Sequence, residues 1–133
     1  MRTWDAGTDL EPQEFVVRRS DLVAYADASG DQNPIHQDEA VAQLVGLPGV
    51  IAHGMYTMAL AARAVATWTD DAEVLEIGCK FTAPVVVPAD GGATVRVAGV
   101  VKSIADGRAT IALDVTCAGA KVLGAPKAVV RVD

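Results

Sequence analysis

The C-terminal part of the chain consists of segments rich in Val, Ile and Thr, in which apolar and polar residues partly alternate. A period of two is typical of β-strands with one buried face. It predicts strands at residues 73–87, 93–103, 108–118 and 121–132. Turn-forming residues separate these segments, at Asp90-Gly91-Gly92, Asp106-Gly107 and Gly119. Four strands in succession predict an antiparallel meander.

The N-terminal part predicts one strand and two short helices. The strand covers residues 14–18, and the helices cover residues 20–28 and 38–45. Between the helices stands Asn33-Pro34. Because the residue before a proline is disfavoured in the helical region, this segment is predicted to be an extended loop.

Residues 55–68 predict a longer helix that is apolar on nearly every side. Its only charged residue is Arg63, and alanine recurs along it. A helix of this kind is expected to be buried all round. One such helix followed by several strands predicts an α+β fold in which a curved antiparallel sheet wraps around a central helix. The small side chains of the helix allow the sheet to approach closely.

Length, charge and hydropathy indicate one domain, residues 1–133, and exclude several partners. The chain has 133 residues and a net charge of −6, which argues against nucleic acid or an anionic membrane surface as a partner. The longest uncharged stretch, residues 40–62, is interrupted by Pro48 and Gly49, so we expect no membrane span. A hydrophobic content of 51% exceeds what a monomer of this size readily buries, which predicts an oligomer.

Cysteine usage points to a reducing compartment. Cys79 and Cys117 are too few and too far apart in sequence for a disulfide framework or a Cys-rich metal site. The first residues lack the basic start and apolar run of a secretion signal. We therefore expect a cytoplasmic protein with two free thiols.

The densest polar cluster of the chain lies at residues 29–38. Within it, Asp31 and His36 are five residues apart on a proline-constrained loop. Such a pair can converge on one water molecule or substrate atom and act as general acid and base. The alternative is a purely structural loop in which Asp31 caps a turn.

Two kinds of metal site can be considered in the same region. A calcium loop of the EF-hand type does not fit, because its sixth position requires Gly where His36 stands, and Pro34 disrupts the loop. Asp31, His36 and His53 are ligand types of a catalytic metal site, but nothing else in the sequence recruits a metal. We expect neither a metal nor a cofactor.

The segment Ala52-His53-Gly54-Met55 stands at the start of the predicted central helix. The first N–H groups of a helix have no partner inside it and lie at the positive end of its dipole, and Gly54 has no side chain to block them. They can stabilise a thioester carbonyl oxygen that gains negative charge. The alternative is a simple turn in which His53 packs against the helix or caps it.

Residues 25–38, which include Ser29-Gly30-Asp31-Gln32-Asn33-Pro34-Ile35-His36, resemble the hydratase 2 motif of the MaoC-like (R)-specific enoyl-CoA hydratases and dehydratases. Residues 52–55 resemble the second signature of that family. Further segments are similar to the catalytic B subunits of the mycolic-acid-pathway (3R)-hydroxyacyl-ACP dehydratases, at residues 45–47, Trp68, 80–83 and 88–91.

This resemblance implies a single hot-dog fold and dimers that extend its sheet. It implies that Asp31 and His36 are the catalytic pair and that the N–H of Gly54 binds the thioester carbonyl. Ser29, Asn33 and His53 are expected to support the site. Candidates for the lining of the substrate tunnel are Met55, Tyr56, Met58 and Trp68. A core role would explain Met and Trp at helical spacing equally well.

The reaction implied by the resemblance is the reversible hydration of a trans-2-enoyl thioester to a (3R)-3-hydroxyacyl thioester of CoA or acyl carrier protein. One alternative is a hot-dog thioesterase, which typically has a carboxylate on or beside the central helix, whereas residues 55–68 contain none. The other is a catalytically silent acyl-binding subunit, which would be expected to lack Asp31 and His36. The expected partner is a second copy of the chain, or a second hot-dog subunit that supplies the acyl tunnel.

Overall fold

An antiparallel sheet of six strands forms the framework of the molecule. A computed structural model of the chain describes residues 4–132. The strands are β1 (Asp9–Val17), β2 (Val74–Phe81), β3 (Ala93–Ala105), β4 (Arg108–Cys117), β5 (Ala120–Lys121) and β6 (Leu123–Arg131). Their order in the sheet is β1-β3-β4-β6-β2, and the short β5 pairs with β4. Each pairing is antiparallel, as the sequence pattern predicts.

The central helix lies against the inner face of this sheet. The helices are α1 (Arg19–Ser29), α2 (Glu39–Leu44) and α3 (Gly54–Thr69). The last of them, α3, contacts β1, β2, β3 and β6. Its buried face consists of Thr57, Leu60, Ala61, Ala64, Val65 and Trp68. The predicted arrangement, one long helix within a curved antiparallel sheet, is confirmed.

Small residues on both elements allow helix and sheet to approach closely. Ala64 of α3 is fully buried. On the sheet, a Cβ atom added to Gly99 of β3 would lie 3.1 Å from the indole ring of Trp68. The Trp68 Nε1–H donates a hydrogen bond of 2.7 Å to the carbonyl oxygen of Glu11 in β1. The indole ring therefore joins α3 to two strands of the sheet.

The prediction that α3 is buried all round is wrong for the single chain. A stripe with a spacing of four residues is exposed, formed by Met55, Ala59, Arg63 and Thr67. The sheet covers only one side of α3, because its two edges, β1 and β2, do not meet around the helix. No helix within residues 4–132 is both long and apolar enough to cross a membrane.

The predicted meander is also corrected at its first strand. β2 ends at Phe81 instead of residue 87, and it pairs with β6 instead of with β3. Pro84 and Pro88 lack the N–H that a sheet ladder needs, and the segment between Phe81 and β3 retains one isolated bridge, from Val86 to Ile51. Residues 90–92 are accordingly not a hairpin turn.

Two N-terminal boundaries differ from the prediction. β1 begins at Asp9, well before residue 14. In the predicted extended loop, Pro34–His36 forms one turn of 3-10 helix with Asn33 as its cap. Proline favours the first position of a helical turn, because its fixed φ suits the turn and its missing N–H is not needed there.

Candidate active site

A cavity of about 600 Å³ lies where the end of α1, the loop after it, the start of α3 and the chain after β2 meet. The residues of its polar wall include Ser29, Asp31, His36, His53, Gly54 and Thr57. Those of its apolar wall include Ile51, Met55, Phe81, Val85, Val122 and Leu123. The fold thus brings the polar loop of residues 29–38 to the N-terminus of the central helix.

Short side chains of the loop hold its backbone in shape. The hydroxyl of Ser29 accepts the N–H of Asp31 at 3.1 Å, and Oδ1 of Asp31 accepts the N–H of Asn33 at 3.1 Å. Oδ1 of Asn33 in turn accepts the N–H of Ile35 at 3.2 Å. Ser29 and Asn33 therefore position the loop, and Asn33 does not line the cavity. Oδ2 of Asp31 accepts no hydrogen bond from any group within residues 4–132, so this oxygen is free to bind a ligand.

His36 has a defined tautomer. Its Nδ1 lies 2.7 Å from the carbonyl oxygen of Ile51. Since a carbonyl oxygen only accepts, Nδ1 carries the proton and the neutral ring has its lone pair on Nε2. Burial lowers the pKa of His36 below its usual 6.5, and nearby His53 lowers it further, against the opposing effects of the Ile51 carbonyl and Asp31. The ring is 7% exposed and is suited to act as a base.

His53 contacts both members of the predicted catalytic pair. Its ring stacks on that of His36, with centroids 3.8 Å apart and an angle of 25° between the planes. Its Nε2–H donates a bond of 3.1 Å to the backbone oxygen of Asp31. The ring of Tyr25 meets it edge-on at 4.8 Å. His53 is 2% exposed. Because it stacks on the His36 ring and binds the backbone oxygen of Asp31, it packs these two residues together.

Gly54 begins α3 at the wall of the cavity. The carbonyl oxygen of His53 accepts the N–H groups of Tyr56 and Thr57, at 3.0 and 3.2 Å. Within the part of the chain that the structure describes, the N–H groups of Gly54 and Met55 have no acceptor. A Cβ atom at position 54 would lie 2.9 Å from the ring of Phe81. Glycine at this position keeps free donors at the positive end of the helix dipole.

Comparison with known proteins identifies the family. A family model described as MaoC like domain matches residues 4–119. The chain belongs to the MaoC-like domain family. A curated relative, the "3-hydroxyacyl-thioester dehydratase X" of Mycobacterium tuberculosis, is 41% identical over 85 residues, which are 62% of this chain and 30% of that protein.

Solved structures of MaoC-like proteins share the fold. A "MaoC-like dehydratase" has a TM-score of 0.94 at 36% identity, over 98% of this chain and 41% of that chain. The "R-Hydratase PhaJ1" from Pseudomonas aeruginosa has a TM-score of 0.84 at 28% identity, over 98% of this chain and 83% of that chain. The hot-dog fold is thereby confirmed. The chain spans less than half the length of the M. tuberculosis relative and of the first structure.

The four tunnel candidates occupy different places in this MaoC-like chain. Met55 lies in the cavity wall and is 56% exposed. Tyr56 packs edge-on against Tyr25, with centroids 5.3 Å apart, and neither Tyr56 nor Met58 is part of the cavity lining. Trp68 lies in the core near the opposite end of α3. Fourteen positions of helix separate Trp68 from Gly54, its ring lies against β3, and it is not part of the cavity lining, so its place in a substrate tunnel stays a prediction.

Sequence reasoning missed several residues of the MaoC-like site. Tyr25, Thr57 and Phe81 all line the cavity. Of these three, Thr57 could have been predicted from local sequence. It follows Gly54 by three residues, and residues three apart lie on the same face of a helix. Ile51 contributes its backbone carbonyl oxygen, which binds His36 Nδ1. Every residue has this oxygen, so the identity of the side chain could not predict the contact.

The geometry does not favour a metal ion at the Asp31, His36 and His53 cluster. One potential ligand atom from each of the three lies within 4.8 Å of the others. A metal ion, however, lies near the plane of each imidazole that binds it, at about 2.0–2.1 Å from the nitrogen for zinc. Two stacked rings 3.8 Å apart cannot both aim in-plane lone pairs at one such point. The proton of His36 Nδ1 and that of His53 Nε2 are also committed to carbonyl oxygens.

We predict that activity is independent of metal. Dialysis of the purified protein against EDTA should leave the rate of the reaction at this cavity unchanged, since the two stacked rings are not arranged to bind an ion. Elemental analysis of the same preparation provides the control. A stoichiometric content of zinc or iron, together with loss of turnover on its removal, would contradict this prediction.

Proposed function

We propose that the chain is an (R)-specific hydro-lyase that interconverts trans-2-enoyl and (3R)-3-hydroxyacyl thioesters. One observation carries this proposal. The Asp31 carboxylate, the unprotonated Nε2 of His36 and the free N–H of Gly54 line one cavity of about 600 Å³. Membership of the MaoC-like family supports it, as do the printed names of the relatives, a 3-hydroxyacyl-thioester dehydratase and an R-hydratase.

In the hydration direction, Asp31 and His36 hold a water molecule and remove one of its protons. The resulting hydroxyl adds to C3 of the enoyl group, and the electron pair of the double bond moves toward C2 and the carbonyl. The N–H of Gly54 stabilises the negative charge on the carbonyl oxygen, and the catalytic pair delivers a proton to C2. Dehydration follows the same steps in reverse.

Two alternatives lack an observation that favours them. A hot-dog thioesterase typically has a carboxylate on or beside the central helix, and α3 itself contains neither Asp nor Glu. A silent acyl-binding subunit would not need His36 to have a fixed tautomer at a cavity wall. Both alternatives remain distinguishable outcomes of the experiment below.

Incubation of the purified chain with crotonyl-CoA tests the proposal. We expect loss of the enoyl absorbance and formation of (3R)-3-hydroxybutyryl-CoA, identified by chiral analysis. Release of free CoA would indicate a thioesterase instead. Binding without turnover, for several acyl lengths on both CoA and acyl carrier protein, would indicate a silent subunit. The ratio of turnover on the two carriers assigns the physiological thioester.

We further propose that residues 1–133 form one domain that pairs with a second copy through β2. The opposite edge, β1, contains Pro12 and a register shift between Leu10 and Gln13, which are features that block strand pairing. The β2 edge leaves Val74 and Phe81 exposed, and the ring of Phe81 borders the cavity. Pairing along β2 would cover this apolar surface. A second hot-dog subunit at the same edge is the alternative partner.

Light scattering on the chain expressed alone should show a dimer. The variant Val74→Lys should raise the dissociation constant of the dimer by at least about tenfold, because a charge would be buried at the interface without a partner. Val16→Lys is the matched control, since Val16 is an exposed valine on the β1 edge. A stable, active monomer at micromolar concentration contradicts the proposal. Inactive material that recovers with a co-expressed hot-dog subunit identifies the heterodimer.

We also propose that the protein resides in the cytoplasm. Cys79 and Cys117 are free thiols. Burial raises the pKa of both thiols, which keeps them protonated and unreactive. Unpaired cysteines of this kind are typical of a reducing compartment.

A further inference from the structure

Three threonines of α3 differ in what their hydroxyl groups bind. The hydroxyl of Thr67 donates to the carbonyl oxygen of Arg63 at 3.2 Å, and that of Thr69 donates to Val65 at 2.8 Å. A bond to the carbonyl four residues earlier is the common arrangement for threonine in a helix. Thr57 does not form it, and within residues 4–132 its hydroxyl has no hydrogen-bond partner.

The unpartnered hydroxyl is also the most deeply placed of the three. Thr57 is 3% exposed, and it lines the cavity that contains the catalytic pair. Although the residue is almost wholly shielded from bulk water, its hydroxyl oxygen is not among the fully enclosed atoms that lack a partner, so it is accessible from the cavity. A hydroxyl in such a place usually has a hydrogen-bond partner, and a molecule bound in the cavity can supply one.

The position of Thr57 on α3 indicates which ligand atom this is. Thr57 follows Gly54 by three residues, and side chains three apart lie on the same helix face. Helical side chains also lean toward the N-terminus of the helix. The Thr57 side chain therefore leans toward the free N–H groups of Gly54 and Met55. A carbonyl oxygen has two lone pairs, so at this corner it can accept the hydroxyl of Thr57 together with one of the backbone N–H groups.

We propose that the hydroxyl of Thr57 donates a hydrogen bond to the carbonyl oxygen of the substrate thioester, beside the N–H of Gly54. This inference rests on the proposed function, in which that oxygen gains charge during the reaction. Thr57 is thus a catalytic residue, because it contacts the reacting group. It strengthens the oxyanion corner by one donor whose bond becomes stronger in the transition state.

The variant Thr57→Val tests the assignment, because it removes the hydroxyl and nearly preserves the shape. We expect its kcat on crotonyl-CoA to fall by about 10- to 100-fold, somewhat less than the usual loss of an oxyanion donor, with KM changed by less than about threefold. Thr57→Ser keeps the hydroxyl and should retain most of the activity. Thr67→Val is the matched control on the exposed side of α3 and should leave kcat unchanged. Equal kcat for Thr57→Val and wild type would overturn the inference.

A second measurement does not depend on turnover. Butyryl-CoA with a ¹³C-labelled carbonyl cannot be hydrated, and its infrared carbonyl band reports hydrogen bonds to that oxygen. We expect the bound band to lie at lower frequency in wild type and in Thr57→Ser than in Thr57→Val. An identical band in all three overturns the inference, even when wild type hydrates crotonyl-CoA. If wild type fails to hydrate any enoyl thioester, the proposed function fails, while the infrared band still tests the contact.

The same variants exclude a contact with the other substrate oxygen. If Thr57 bound the C3 hydroxyl group instead, Thr57→Val would weaken binding of (3R)-3-hydroxybutyryl-CoA and leave the butyryl band unchanged. That result would overturn the assignment to the carbonyl. Thermal unfolding of each variant confirms that the compared proteins are folded.

Discussion

Asp31→Asn and His36→Ala should each lower turnover of crotonyl-CoA by at least about 100-fold, the usual scale for a positioned acid or base. Asp31→Asn keeps an oxygen that can accept the N–H of Asn33, so the loop retains its shape while the charge is lost. His36→Ala removes the lone pair of Nε2 from the cavity wall. Circular dichroism and gel filtration show whether each variant keeps the fold and the assembly.

The neighbouring carboxylate of Asp27 provides the control for the loss of Asp31. Its Oδ1 accepts a bond from Gln32 at 2.9 Å, and it does not line the cavity. Asp27→Asn should therefore change turnover by less than about threefold, as surface substitutions usually have small effects. Near-normal turnover in folded Asp31→Asn or His36→Ala would show that the pair is not catalytic.

Trp68→Ala should lower the free energy of unfolding by about 3–5 kcal/mol, the range for removal of a buried tryptophan. The ring is 6% exposed, packs on Gly99 and donates a hydrogen bond to Glu11. Loss of the ring leaves a cavity between α3 and the sheet and an unpaired carbonyl oxygen. Urea unfolding monitored by circular dichroism measures the change, and Trp68→Phe should have a smaller effect because it keeps most of the packing.

The same variant distinguishes a core residue from a tunnel residue. Because Trp68 is not part of the cavity lining, turnover of short and longer enoyl thioesters by folded Trp68→Ala should keep the wild-type ratio. Met55 lies in the wall and provides the comparison: Met55→Ala should change that ratio. If Trp68→Ala has normal stability and its turnover ratio shifts toward longer enoyl thioesters, Trp68 lines the substrate tunnel.

Several features of the molecule follow from local sequence. The alternation of apolar and polar residues predicts strands because neighbouring side chains of a strand point to opposite faces. The run of apolar residues around Arg63 predicts the central helix, because apolar residues on nearly every side are typical of a helix that packs in the core. The shape of the loop that carries the candidate acid and base follows from the segment between Ser29 and His36, because its hydrogen bonds join residues two positions apart. These interactions need no distant partner, so the sequence contains their whole cause.

The tertiary structure alone decided which distant groups meet. The apolar pattern of β2 is the same whether β3 or β6 lies beside it, and only the closure of the sheet selects β6. The tautomer of His36 depends on a carbonyl oxygen fifteen residues away, at Ile51. The sequence by itself predicted most of the helices and strands and the candidate acid and base, Asp31 and His36. The fold decided their partners, because a hydrogen bond between distant residues depends on where the backbone returns and not on the residues near it in the chain.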